Sequence, residues 1–396
     1  MKPNPLSGIK KLTDLRVLVV SETPPETANG FGSMLVNLYS NFAQGFIFTN
    51  EDFNHSGKNK NYIFAQVPYH RGRKNLFKLL LGKIPEWRGY YSSQWLGGKV
   101  TGNFDIIVSF IYSPCTLLFG DWISREKKCK HIIHIADHCD FFLQPKYLDT
   151  IKTADSLLVI SNKMKVLYEK HTQRNDIKVF HHFPDDRCFP KLDSLDAPRT
   201  FEQSDPLKVI FIGGLYEYLH RSSIEDIISS VATLHEQGTP IEMHIYGARY
   251  PENFLDSAIK GKGITHHGMV MPLEAKYEIM KNADAFVIPS SFDPTSNNDY
   301  KYSFPTKLTE LLSTAKPVIY YGPSDTSIHE FLNDIGTSIQ ITHRSVGLLN
   351  KTLSNLIKDY QDKKRDAVKI SKNIKEQYDM KITLRKFRIY LNQLAS

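Results

Sequence analysis

The chain has 396 residues, longer than one ordinary domain of roughly 100–200 residues, so we expect two domains. Its four cysteines include no Cys-x-x-Cys pair, which excludes a disulfide framework and a structural zinc site and indicates a reducing compartment. Fifty Lys and Arg against 42 Asp and Glu give a formal net charge of +8, which suits an anionic partner or, equally, a basic surface that only aids solubility.

The first half of the chain alternates short apolar runs with longer polar segments. This alternation predicts an α/β fold with mainly parallel strands buried on both faces. The predicted strands of this half are residues 16–21, 62–67, 105–110, 131–135, 156–160 and 178–182. The N-terminus lacks the apolar run of a signal peptide, and no apolar stretch reaches the ~18–20 residues needed to cross a bilayer. We therefore expect a cytoplasmic protein.

A loop with two glycines, Gly30 and Gly32, follows the first predicted strand and leads into a helix at Ser33. The dinucleotide fingerprint needs its first glycine directly after the strand, whereas about eight residues intervene here. An enzyme that uses a nicotinamide cofactor is therefore not expected.

Residues 70–88 form a basic segment in which leucines and phenylalanine are interleaved with cations. Such a stretch suits the anionic inner face of a membrane, where the protein would bind peripherally. The cations predicted to contact that surface are Arg71, Arg73, Lys74 and Lys78. The alternative is a first-domain helix that packs its apolar face inward. Nucleic acid is not an expected partner, because no groove-reading motif accompanies the charge.

Four prolines between residues 183 and 206 interrupt a polar stretch of little periodicity, which predicts an interdomain linker. The expected divisions are an N-terminal domain over residues 1–190, a linker over 191–206 and a C-terminal domain over 207–375. The α/β pattern then starts again. Its predicted strands are residues 207–212, 241–246, 285–289, 317–321 and 337–341, and its predicted helices are 223–236, 273–282 and 306–314. Two such units predict two Rossmann-like domains facing a central cleft, with ligands beyond the carboxyl ends of the strands.

The segment 302–320 carries the clearest candidate for a binding site. Pro305 suits the first turn of a helix, and Ser303 is a plausible N-cap. A helix N-terminus that points into a cleft binds anions, and Lys307 adds a positive charge there. Glu310 could accept hydrogen bonds from a ribose diol. The alternative is an ordinary helix with an exposed Glu.

The same segment resembles the donor site of family-4-type glycosyltransferases of the GT-B fold, bacterial enzymes that build polysaccharides and glycolipids. Many members read roughly Pro-Ser-Lys-x-x-Glu-x-x-x-x-Gly-Lys-Pro-Val where this chain has residues 305–318. Further segments resemble the family in the same order along the chain: residues 22–33, 154–161, 180–184, 211–215, 244–247, 263–270 and 277–290.

The resemblance implies a nucleotide-sugar donor with its ribose on Glu310 and its base near Val270. It also implies that residues 376–396 form a helix crossing back to the first domain. The other implied donor-site residues are Gly30, Gly32, Gly213, Gly214, Ser303, Phe304, Pro305, Thr306 and Lys307.

Two departures from the family pattern affect this site. Members often carry another glutamate before the ribose glutamate, with seven residues between the two. This chain has Tyr302 at that position, so Asp293 and Asp299 are candidates to contact the donor sugar instead. Members also often place an Arg and a Lys after the glycine turn. Here Arg221 is the candidate to bind the diphosphate, and the alternative is that it caps a surface loop.

The acceptor side is predicted after the strand at residues 131–135, where the loop resembles the His- and Asp-containing loop of the family. Asp137 and His138 are the first candidates for catalysis, followed by His134 and Asp140. Such groups take the proton of an acceptor or stabilise positive charge on the sugar. Lone histidines at strand ends are, however, often structural.

The resemblance thus predicts a glycosyltransferase that moves a sugar, with retention and without a metal or other cofactor, to a glycan or lipid-linked acceptor in cell-surface polysaccharide synthesis. Three alternatives remain open. An epimerase of the same shape would turn over donor without an acceptor, and a catalytically inactive scaffold would bind nucleotide without turnover. A membrane- or polyanion-binding protein would bind no nucleotide.

Overall fold

The computed structural model describes residues 15–21, 30–39, 43–48, 62–64, 100, 102–111, 114–190, 199–270, 274–293, 299–336 and 339–396. The chain divides into two compact units. One contains Met1–His182 together with Lys381–Ser396, and the other contains Phe183–Met380.

The first unit is built on a parallel sheet with the strand order β3-β2-β1-β4-β5-β6-β7. Every residue of β1 and β4 is buried, as expected for strands covered on both faces. The strands are β1 (Val17–Ser21), β2 (Ala43–Phe48), β3 (Tyr62–Phe64), β4 (Ile106–Ile111), β5 (Lys130–Ile135), β6 (Ser156–Val159) and β7 (Lys178–Val179).

Helices connect these strands: α1 (Gly30–Tyr39), α2 (Pro114–Lys127), α3 (Pro145–Thr153) and α4 (Asn162–Thr172). The C-terminal helix, Met380–Ala395, buries Thr383, Phe387 and Leu391, which recur every four residues on one face. The Phe387 ring packs against Tyr39 of α1 at 5.4 Å between centroids and against Phe180 at 5.0 Å. The end of the chain therefore completes the core of the first unit.

The second unit contains a six-stranded parallel sheet with the order β12-β10-β8-β13-β14-β15, and a two-stranded ladder of β9 and β11. Its strands are β8 (Leu207–Ile212), β9 (Leu215–Tyr216), β10 (Ile241–Tyr246), β11 (Arg249–Tyr250), β12 (Ile264–Gly268), β13 (Ala285–Pro289), β14 (Val318–Tyr321) and β15 (Gln340–Ile341). Its helices are α5 (Glu217–Glu236), α6 (Glu274–Asn282), α7 (Asp299–Tyr302), α8 (Lys307–Ser313), α9 (Ser327–Ile335), α10 (Val346–Lys358) and α11 (Tyr360–Tyr378).

The predicted α/β class with parallel sheets is confirmed in both units. The strands predicted at residues 207–212, 241–246 and 285–289 have the observed bounds. The sequence reading missed β2, β12 and the short β9–β11 ladder. β9 and β11 have only two residues each, β12 is mostly polar, and the apolar run of β2 has only three residues, 46–48.

The boundary between the units lies after His182, whereas the predicted domain boundary lies after residue 190. The segment 183–190 packs against α6 and α8 of the second unit, and Arg187 donates a hydrogen bond of 3.1 Å to the Tyr277 hydroxyl. At the other end of the second unit, the chain returns to the first unit at Lys381. This is five residues after residue 376, the predicted start of the last helix.

Candidate functional site

The candidate donor site lies at the carboxyl edge of the six-stranded sheet. Gly213 follows β8 with a φ of +134°, a backbone conformation that side chains rarely adopt. A Cβ at this position would lie 1.4 Å from Lys307 Nζ. The glycine therefore leaves the space through which Lys307, at the start of α8, reaches the end of β8. Its ammonium donates a hydrogen bond of 2.5 Å to the Ile212 carbonyl.

Lys307 is a half-buried cation. Burial lowers its pKa to about 8, the charge of Glu310 opposes this shift, and the nearby Lys276 adds to it. Losing its hydration makes the charged form costly, so an anion that replaces this hydration binds the lysine favourably. The arrangement suits a phosphate group.

A cavity of about 80 Å³ lies beside Lys307, between the ends of β8 and β13. Its polar lining includes His220, Ser290, Ser303 and Lys307. His220 is held by the Tyr216 backbone, with Nδ1 3.0 Å from the amide nitrogen. Burial and then the Lys307 charge lower the pKa of His220 to about 3, so its ring is neutral. The cavity thus offers one cation and several neutral polar groups.

The helix that carries Lys307 begins later than predicted. Pro305 O accepts a hydrogen bond from Leu308 N at 2.9 Å, which closes a tight turn before the helix. Thr306 is the residue that precedes α8, and its side chain makes no capping bond. The predicted N-cap at Ser303 is therefore wrong, and Ser303 lines the cavity instead.

Glu310 is buried rather than exposed, with a relative accessibility of 5%. Both of its carboxylate oxygens accept hydrogen bonds from Lys276 Nζ, at 2.9 and 2.8 Å. The alternative of an ordinary helix with an exposed Glu is therefore wrong. Lys276, on α6, was not among the predicted residues, because no local pattern links it to a residue 34 positions further along the chain.

Three other predicted donor residues, Phe304, Val270 and Gly214, differ in burial and in their neighbours. Phe304 is buried against Phe331, with 4.9 Å between ring centroids. Val270 is half-buried just after β12. Gly214 lies beneath the Tyr216 ring, since a Cβ there would meet that ring at 2.9 Å.

The candidates for the donor sugar lie in the segment between β13 and α8. Asp293 is exposed, and its backbone nitrogen donates to Ser291 Oγ at 3.1 Å. Tyr302 is half-buried, and its carbonyl accepts from Ser327 Oγ at 3.1 Å. Asp299 is the first residue of α7, and its side chain lies outside the described part of the chain.

Arg221 lies on the exposed face of α5. Its guanidinium pairs with Glu217 and, at 3.2 Å, with Glu225, one turn away on either side. Its charge is therefore matched within its own helix. The spacing of four residues in each direction was readable from the sequence, and it is typical of a surface ion-pair network.

In the first unit, Asp137, His138 and Asp140 come together after β5. His138 is buried, with Nδ1 3.1 Å from the Tyr168 hydroxyl and Nε2 3.2 Å from Asp140 Oδ1. Its backbone nitrogen donates to Asp137 Oδ1 at 3.1 Å. Burial lowers the pKa of His138, while Asp140 acts in the opposite direction. Both ring nitrogens are thus held in fixed positions.

His134 is separated from this group. It lies fully buried in the sheet, with Nδ1 2.8 Å from the Tyr39 hydroxyl. Burial lowers its pKa to about 3, so it is a neutral core side chain. Of the loop glycines, Gly30 begins α1 and Gly32 is buried within it.

The predicted membrane-contacting cations Arg71, Arg73, Lys74 and Lys78 lie outside the described residues. None of the helices in the described part of the chain is long and apolar enough to span a membrane. Within the same ranges, no group of three or more His, Cys, Asp or Glu side chains is placed to hold a metal ion.

Comparison with known proteins places this site in a family. Residues 206–359 match the sequence profile of the family described as "Glycosyl transferases group 1". The matched region contains the glycine turn, Lys276, Lys307 and Glu310. No curated protein matches the sequence at a significant level.

Solved structures match over nearly the whole chain at low identity. HepE of Anabaena in complex with UDP-glucose matches with a TM-score of 0.66 and 12% identity, covering 95% of this chain and 99% of that one. WaaG, a glycosyltransferase involved in lipopolysaccharide biosynthesis, matches with a TM-score of 0.59 and 12% identity, covering 95% and 99%. Sucrose-phosphate synthase of Thermosynechococcus elongatus matches with a TM-score of 0.65 and 13% identity, covering 96% and 99%.

The family profile confirms the predicted resemblance for the second unit. The solved structures confirm the predicted fold for the chain. Residues 206–359 thus match the family of glycosyl transferases group 1, and the chain as a whole has the GT-B fold.

Proposed function

We propose that the protein transfers a sugar, with retention, from a nucleotide-sugar donor to a glycan or lipid-linked acceptor in the synthesis of a cell-surface polysaccharide. The observation that carries the donor part is the placement of Lys307. Its ammonium passes over Gly213 to the cavity at the end of β8. A diphosphate there would replace the hydration that Lys307 has lost, through charge-assisted hydrogen bonds.

In this proposal Glu310 binds the ribose hydroxyls and Val270 lies near the base. The donor sugar would contact Asp293, Asp299 or Tyr302. Support for a uridine nucleotide comes from HepE, which binds UDP-glucose and matches this chain in fold. Arg221 is the weakest part of the proposed donor site, because its charge is already paired with two glutamates.

For the acceptor side, we propose that Asp137 and His138 act on the acceptor or on the charge that develops at the sugar. Asp140 and the Tyr168 hydroxyl hold the His138 ring on its two nitrogens, which fixes its orientation. A polar group held in place stabilises a transition-state charge without reorganising. His134 has no part in this proposal, since it is a core residue of the sheet.

The proposal assigns charge neutralisation to Lys307, with no metal or other cofactor. It also places the protein in the cytoplasm, at the anionic inner face of a membrane, through the basic segment 70–88. WaaG, which acts in lipopolysaccharide biosynthesis, supports a glycan or lipid-linked acceptor by likeness of fold.

Calorimetric titration with UDP, GDP, CDP and their common sugar conjugates tests the donor part. We expect selective binding of one nucleotide, followed by sugar transfer that persists in EDTA when an acceptor is supplied. Retention is then read from the anomeric proton of the product by NMR. Turnover of donor alone to an isomeric nucleotide-sugar would indicate an epimerase, and the absence of nucleotide binding at millimolar concentration would refute the proposal.

A further inference from the structure

The second unit contains a largely buried ion pair between Lys276 of α6 and the buried Glu310 of α8. The ammonium donates to both carboxylate oxygens at 2.9 and 2.8 Å, and the side chains are 17% and 6% exposed. The pair joins two helices through residues that are 34 positions apart in the chain. Its partners come from the region that matches the glycosyltransferase family.

Stability alone is a weak reason for such a pair. Removing two charges from water costs free energy that their attraction only partly returns, and apolar replacements are often equally stable or more so. The pair therefore calls for a role that two apolar side chains could not perform.

The geometry defines that role. A carboxylate has about four lone-pair positions, and Lys276 occupies one on each oxygen of Glu310. One position on each oxygen remains, on the side away from Lys276, and the two bonds to a single nitrogen hold the plane of the carboxylate. A hydroxyl of a ribose can donate to such a fixed acceptor position.

The charges in this region lead to the same conclusion. Glu310 lies close enough to Lys307 to affect it electrostatically, and Lys276 also acts on Lys307. Without Lys276, the carboxylate would either neutralise Lys307 or repel an approaching diphosphate. With Lys276 present, the three groups carry a net charge of +1, and the charge of Lys307 is left for the phosphates.

We propose that Lys276 is a positioning residue that holds Glu310 in one orientation for the ribose hydroxyls of the donor, and so makes the site selective for ribonucleotides over 2′-deoxyribonucleotides. This inference rests on the proposed function, because it takes the donor to be a nucleotide.

The test compares the dissociation constants of UDP and 2′-deoxy-UDP by calorimetry in the full chain. Lys276→Met removes the ammonium at nearly constant volume, Lys276→Arg keeps a donor, and Lys281→Met is the matched control on the exposed face of the same helix. For the unmodified protein we expect UDP to bind about 10–100-fold more tightly than 2′-deoxy-UDP, because the deoxy analogue lacks a hydrogen bond to a charged acceptor.

Lys276→Met should reduce this preference to about threefold or less, Lys276→Arg should keep part of it, and Lys281→Met should leave it unchanged. The ratio of the two dissociation constants is the decisive measurement, because loss of a purely structural ion pair would weaken the binding of both nucleotides equally. Equal weakening of both in folded Lys276→Met would therefore overturn the inference. If Lys276→Met does not fold, Lys276→Arg and Glu310→Gln carry the same comparison, and full selectivity in both would overturn it.

The inference and the proposed function fail in different ways. If the unmodified protein binds none of UDP, GDP and CDP, the proposed function is refuted and this inference falls with it. If the unmodified protein binds UDP selectively over 2′-deoxy-UDP and Lys276→Met retains that selectivity, only this inference is refuted. If the nucleotide screen selects GDP, the GDP and 2′-deoxy-GDP pair replaces the uridine pair.

Discussion

Nucleotide affinity should depend on pH through Lys307. Burial lowers the pKa of this lysine to about 8, so about 90% of the free protein carries the charge at pH 7 and about 10% at pH 9. A bound diphosphate stabilises the charged form and raises the pKa again. Affinity is therefore greatest below pH 8, and it should fall about tenfold between pH 7 and pH 9.

The assay is calorimetric titration with UDP from pH 7 to pH 9, above the last ionisation of a phosphate near pH 6. Repeating it in buffers of different ionisation enthalpy gives the proton uptake, which we expect to be about 0.5 at pH 8 if the bound lysine stays charged. Lys307→Met should weaken UDP binding by about 1.5–3 kcal/mol, or roughly 10–150-fold, and remove the pH dependence.

Lys316 provides the control, because burial lowers its pKa to about 8 as well. Its ammonium donates to the carbonyls of Lys281 and Ala283, and it lies outside the cavity beside Lys307. Lys316→Met should therefore keep the pH dependence of the unmodified protein. A UDP affinity that stays constant between pH 7 and pH 9 would refute the role of Lys307. Loss of the pH dependence in Lys316→Met would refute it as well.

Four further outcomes are expected. Glu310→Ala should weaken nucleotide binding by about 1–3 kcal/mol through loss of charged hydrogen bonds, and unchanged affinity in the folded variant would remove Glu310 from the site. Asp137→Asn should lower kcat with little change in the KM for the donor, whereas a change in KM alone would place Asp137 on the binding side. Asp226→Ala removes a buried carboxylate that accepts three hydrogen bonds, and chemical denaturation should show a loss of about 2–4 kcal/mol in unfolding free energy. Charge reversal of Arg71, Arg73 and Lys74 should weaken binding to anionic vesicles, measured by sedimentation. Unchanged binding would favour a helix that packs its apolar face inward.

Much of this fold was readable from local sequence. Short apolar runs such as residues 207–212 and 285–289 are strands buried on both faces, and their composition alone indicates this. The run from Pro305 to Val318, together with further segments in the same order along the chain, indicated the family, because the spacing within each segment is local. Periodicity and spacing are properties of neighbouring residues, so no tertiary information is needed to detect them.

The roles of individual charged residues needed the tertiary structure. The sequence marks Lys307 as a cation of the donor motif, but only the fold brings it into the space over Gly213, where burial lowers its pKa. His134 and His138 lie four residues apart on the same segment, yet one is in the core and the other is held by Tyr168 and Asp140. Glu310 obtains its partner from a different helix. Burial and long-range pairing set the energy of a charge, and both depend on which distant segments the fold brings together.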